Sequence, residues 1–131
     1  MKIVKLEDLK GTEREVHCPT PDRCTSFRLL LKEDGMGFSF HYTLVPKGKV
    51  EHWCYKEHLE ACFCIAGFGF LTELITKEVH AISVGTLYAL DKHDDHTFQA
   101  IEDTVLISVF NPPIIGRETH DSNGSYKGEK S

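Results

Sequence analysis

The chain has 131 residues, with 15 Lys and Arg against 20 Asp and Glu, for a net charge of -5. That length suits one domain around one core and leaves no room for a second catalytic domain. The negative balance without a basic cluster argues against a phosphate-backbone partner, and charge-free stretches such as residues 61–72 contain glycines and fall short of the roughly 20 residues of a membrane span.

In chain order, the first candidate element is a short helix within residues 5–14, where Leu6 and Leu9 are three apart and acids sit early. Gly11 limits it to about one turn. Residues 36–45 alternate large apolar with polar side chains, as a strand does. Phe38, Phe40, Tyr42 and Leu44 share one face, and Ser39, His41 and Thr43 the other. A Pro46-Lys47-Gly48 turn follows. Residues 56–62 read either as a helical turn or as the entrance to a strand. Strand-like runs then cover residues 61–66, 69–75, 78–82, 86–90, 97–101 and 104–111, separated by Gly, Pro and polar turns. Many short strands at this spacing predict a sandwich or small barrel. From His120 the chain is polar and turn-rich, and residues 121–131 are expected to form a flexible tail.

Acids within the first ten residues, and no apolar segment before a small-residue cleavage site, give an expectation of a cytoplasmic protein. Five cysteines, Cys18, Cys24, Cys54, Cys62 and Cys64, make an odd number without a C-x-x-C pair. Neither a disulfide framework nor a zinc ribbon is indicated. Most are expected to be reduced, with Cys62 and Cys64 as small core residues.

The spacing of Gly48, Cys54, Lys56, Glu60 and Gly67 resembles the first motif of the cupin superfamily, in which two histidines and a glutamate project into a small barrel and bind a divalent metal. Here Cys54 and Lys56 stand at the histidine positions. Residues 83–88 resemble the second motif, with Tyr88 where its histidine would be. The common three-histidine site is absent. Longer runs match more closely: residues 28–40, His58-Leu59-Glu60-Ala61, Cys64-Ile65, residues 85–96, residues 109–113 and residues 116–121. Together they resemble ectoine synthase from about Lys2 to Tyr126.

The resemblance implies an all-β, single-domain cupin over residues 1–131 with one or two short helical turns, usually a homodimer. It implies a hydro-lyase that closes the ring of N-γ-acetyl-L-2,4-diaminobutyrate with loss of water. The family's iron ligands fall on Glu60, Tyr88 and His96. A donor set of oxygen and nitrogen with open positions suits Fe(II) or Zn(II), with phenolate oxygen favouring iron. His93 competes with His96 but lies inside the turn at residues 91–95, where it is expected to act as a brace. The family's substrate-contacting positions fall on Ser26, Arg28, Thr43, Tyr55, His58, Phe110, Glu118 and His120. Arg28 is suited to clamp a carboxylate. Proton transfer is shared among Tyr55, Glu118 and His120 without assignment of acid and base. If extended, Glu118 and His120 share a face.

Departures fall around the substrate. Cys24 stands where the family usually carries tryptophan, Phe27 replaces a threonine, Cys54 a frequent histidine and Phe68 a frequent acid. Trp53 and Phe27 are the candidates to refill the lost wall. The rival readings are a cupin that binds a small amino acid derivative without turning it over, and a lyase for a different acylated diamine.

Overall fold

The computed structural model describes residues 1–119, 124 and 125. Among the described residues, ten strands form two antiparallel sheets that face each other as a small barrel: β1 (Glu15–His17), β2 (Thr25–Leu30), β3 (Ser39–Val45), β4 (Val50–Trp53), β5 (Leu59–Ala66), β6 (Phe68–Glu73), β7 (Val79–Ser83), β8 (Leu87–Leu90), β9 (His96–Ala100) and β10 (Thr104–Asn111). One sheet runs β1-β2-β3-β10-β5-β8, the other β4-β9-β6-β7. The helix near the amino terminus, α1 (Leu6–Leu9), is a single turn, and a 3-10 turn spans Lys32–Asp34. The segment before β5 is a strand entrance, not a helix.

The runs read as strands from residue 61 onward all appear, with ends that differ by at most two residues. Three strands carried no legible signal. β1 has three residues, while β2 and β4 send polar side chains inward: Ser26 and Arg28 on β2 and Glu51 near the β4 end are buried.

β3 explains the site. Its two faces are those expected, but the polar one is inside: Ser39 and His41 are buried, whereas Phe40, Tyr42 and Leu44 on the outer face remain part-exposed. The apolar core occupies the other part of the barrel, where Val45, Trp53, Cys64, Leu71, Ile82, Phe98 and Leu106 pack together. Between β5 and β6, Gly67 has φ +85°, and a Cβ there would lie 2.3 Å from the Asp103 carbonyl oxygen. Only glycine fits this crossing between the sheets. All five cysteines are free thiols and buried. Among the described residues, no helix is long and apolar enough to cross a membrane.

Candidate active site

Antiparallel pairing puts Cys62 opposite Tyr88 and Glu60 opposite Leu90. Since alternate residues of a strand share a face, Glu60, Cys62 and Tyr88 all point between the sheets, and Cys62 touches both of the others. His96 arrives from the opposing sheet at the start of β9, paired with Trp53 of β4 and Glu73 of β6.

The protonation states of these groups follow from their surroundings. The His96 Nδ1 lies 2.9 Å from the Asp94 carbonyl oxygen. A carbonyl only accepts, so Nδ1 carries the proton, and burial holds the ring's pKa below the ordinary value. Nε2 therefore presents a lone pair. It is buried and has no hydrogen-bond partner among the described residues, and the same holds for the Tyr88 hydroxyl oxygen. Glu60 is buried, and burial raises its carboxyl to about 8, against weaker lowering by Cys62 and Ser108. Burial also pushes the Tyr88 phenol well up, with the neighbouring Cys62 and Glu60 adding to it.

An interior with two orphaned polar atoms and an acid reluctant to ionise is costly by itself. A divalent cation reverses this cost by favouring the anionic forms of Glu60 and Tyr88 and by using the Nε2 lone pair. The donor set thus fits a metal. A different cluster, Glu73, Glu78 and His80, brings ligand atoms within 4.8 Å of one another on the β6–β7 hairpin. Glu78 and His80 are exposed there, 3.5 Å apart as an ion pair at the surface.

Two spaces flank these groups. An interior cavity of about 20 Å³ is lined by Cys24, Ser26, His41, Thr43, Trp53, Tyr55, Glu60, Cys62, Leu106, Ser108 and Phe110. It has room for about one water molecule. A recess of about 480 Å³, lined among others by Tyr88, His96 and Asp94, opens beside β7 and β8. Tyr88 faces the recess while its hydroxyl reaches Cys62 on the cavity wall, so it stands as the partition between the two. A ligand larger than water reaches the cavity only if such a wall moves.

Of the sequence-predicted contacts, Ser26, Thr43, Tyr55 and Phe110 meet around the cavity together with Glu60. His58 is buried against the Phe110 ring, with centroids 5.9 Å apart. Arg28 is fully buried, and its two terminal nitrogens each donate at 2.6 Å to the carbonyl oxygens of Gly116 and Glu118. Glu118 turns back on its own loop, where its carboxylate accepts the Ile115 and Gly116 amide protons, both at 2.6 Å. It is not in a strand, and His120 lies outside the described residues. His93 has φ +55° and bonds through Nδ1 to the Tyr55 carbonyl at 2.8 Å, bracing the turn before His96.

Of the two candidates for a wall at Cys24, Trp53 lines the cavity beside it and stands 6.2 Å from the His96 ring. Phe27 does not take part, because it packs edge-on to Tyr42 on the opposite face, 6.3 Å between centroids. Sequence reasoning did not single out His41, Cys62 and Ser108 as cavity residues. For His41 the alternation of β3 held the signal, since it lies between Ser39 and Thr43 on the polar face.

The two facing antiparallel sheets close into the barrel of the cupin fold. The fold alone is shared with the cupin domain of Schizosaccharomyces pombe Cnp3, at 12% identity and TM-score 0.58 over 68% of this chain and 64% of that one. Residues 1–130 match the sequence model of ectoine synthase. The L-ectoine synthase of Desulfosudis oleivorans is 52% identical over 97% of both chains. The crystal structure of ectoine synthase from P. lautus superposes with TM-score 0.81 at 37% identity, covering 88% of this chain and 80% of that one. The chain belongs to the ectoine synthase family, and its enzyme class is that of a hydro-lyase.

Proposed function

We propose that the chain closes the ring of N-γ-acetyl-L-2,4-diaminobutyrate and releases water to give ectoine, with the substrate held beside Ser26, Thr43, Tyr55 and Phe110 once a wall between cavity and recess has moved. The observation that carries this reading is a small cavity bordered by the polar side chains of Ser26, His41, Thr43, Tyr55 and Ser108 inside the barrel, next to buried Glu60 and His96 and the buried hydroxyl of half-buried Tyr88. Nothing in packing calls for these groups, because an apolar interior of the same shape would be more stable.

The substrate's amine must meet its own amide carbonyl, so the walls serve first to fold the chain into a ring-closing conformer. Phe110 and Trp53 supply apolar sides. Thr43 and Ser108, with hydroxyl oxygens 3.3 Å apart, supply polar contacts opposite. Tyr55 borders the cavity and is the described candidate for moving a proton between the amine and the departing oxygen. Glu118 does not line the cavity, and its carboxylate already accepts two amide protons of its own loop. Fe(II), or Zn(II), held by Glu60, Tyr88 and His96 would supply Lewis acidity toward the carbonyl oxygen. Burial keeps bulk water out, which favours a condensation that releases water.

Following the ring closure by proton NMR with Fe(II)-loaded protein tests the reading, and ectoine is the expected product. Metal-loaded protein that binds the precursor and leaves it uncyclised points to a binding protein; no effect on it at all points to a lyase for another acylated diamine.

We also propose a cytoplasmic homodimer. Its support is the outer face of the larger sheet, where Leu59, Phe63, Ile65 and Leu87 are exposed on β5 and on β8, an edge strand. A contiguous apolar sheet face with an open edge is a surface for another copy. Light scattering at micromolar concentration is expected to give twice the chain mass, and Phe63→Lys with Leu87→Lys to give the monomer. A wild-type monomer ends the proposal.

A further inference from the structure

His41 is fully enclosed, its Nε2 2.8 Å from the Ser39 hydroxyl oxygen and its Nδ1 3.1 Å from that of Ser26. The direction of these bonds is fixed from one end. The Ser39 oxygen accepts the Ile114 amide proton at 2.9 Å. Ser39 is itself completely buried, so its own hydroxyl proton must go to a neighbour or be lost as a hydrogen bond. The neighbour within reach is His41 Nε2. That nitrogen then accepts, and in a neutral ring the other must donate. Burial and the adjacent Arg28 charge keep the ring neutral. Nδ1–H therefore points at Ser26.

The Ser26 oxygen receives that proton and also faces the Arg28 Nε at 3.4 Å. With both lone pairs engaged, its hydroxyl proton is left for the cavity that Ser26 lines. We propose that the relay Ile114–Ser39–His41–Ser26 fixes Ser26 as a hydrogen-bond donor into the cavity, with His41 as the positioning residue, and that the acceptor is the carboxylate of the amino acid substrate. The carboxylate is favoured over the amide carbonyl because the Arg28 charge stands directly behind the Ser26 oxygen. The opposite polarity would direct the Ser26 proton to His41 Nδ1, leave the cavity only a Ser26 lone pair, and strand the Ser39 proton. This assignment rests on the reading of the cavity as the substrate site.

Two isosteric substitutions separate the two ends of the relay. His41→Asn places an amide N–H where Nδ1–H was and keeps the bond to Ser26. His41→Gln places its amide near Nε2 and leaves Ser26 without a donor. The expected result is a rise in KM of about tenfold for His41→Gln and for Ser26→Ala, the loss of one hydrogen bond, with kcat unchanged in both and with His41→Asn close to wild type in KM. Equal KM values for His41→Asn and His41→Gln, or a loss confined to kcat, would overturn the assignment. The imidazole 15N–1H spectrum of the wild-type protein, with the His41 signal assigned by its absence in His41→Asn, reads the tautomer without any turnover: a proton on Nδ1 is expected, and one on Nε2 refutes the relay. Failure of the wild-type protein to cyclise the precursor would instead remove the substrate reading and with it the carboxylate, while the spectrum still decides the relay.

Discussion

Anaerobically purified protein is expected to carry about one iron ion per chain, and Glu60→Ala, Tyr88→Phe and His96→Ala are each expected to abolish that occupancy and turnover with it. The reason is electrostatic. Glu60 and Tyr88 are held toward their protonated forms by burial, and the His96 lone pair has no partner among the described residues. With one ligand removed, the remaining two cannot offset the dehydration of the cation. Tyr88→Phe is the most telling of the three, since it deletes one oxygen and preserves the ring that separates recess from cavity. Folding should tolerate it: an orphaned buried hydroxyl is removed, so the metal-free variant should melt no lower than the metal-free wild type. Metal analysis alongside thermal melts checks both statements. Full iron occupancy in all three variants would dismiss the triad. As a control, Cys54→Ala should keep its metal, because the Cys54 thiol points to the His93 carbonyl at 3.6 Å.

Substitution of Arg28 is expected to cost stability before it costs binding. A buried guanidinium that donates to the Gly116 and Glu118 carbonyls makes two charge-assisted bonds, and Arg28→Ala strands both acceptors and opens a cavity. A loss of about 3 kcal/mol or more follows. Lysine keeps the charge but cannot reach both carbonyls with a planar fork, so Arg28→Lys should recover only part of it. Urea melts give the magnitude, and amide exchange at residues 114–119 should accelerate in both variants. Were Arg28 chiefly a clamp for the substrate carboxylate, Arg28→Ala would melt like the wild type, exchange normally at those amides and change KM alone.

The sequence made the later strands legible because each is a β-branched or aromatic run between turn residues. Their pairing into a barrel with candidate ligands on both sheets was carried by the resemblance, since Glu60, Tyr88 and His96 taken singly look like a rim acid, a packing tyrosine and a turn histidine. β2 and β4 escaped notice for the reason that makes them useful: inward Ser26, Arg28 and Glu51 break the apolar-in pattern that strand reading relies on.

Local order along the chain was thus determined by the sequence itself. Alternation in β3 divided Ser39, His41 and Thr43 from Phe40, Tyr42 and Leu44, and Gly11 confined the amino-terminal helix to one turn. Which face of β3 is interior was decided only by the tertiary structure, because a period of two defines two faces and not their surroundings. The same holds for Arg28, whose acceptors lie 88 and 90 residues away in sequence, and for the wall at Cys24. Trp53 and Phe27 are both large aromatic side chains, and only the pairing of β4 with β9 turns Trp53 into the cavity while the pairing of β2 with β3 turns Phe27 out of it.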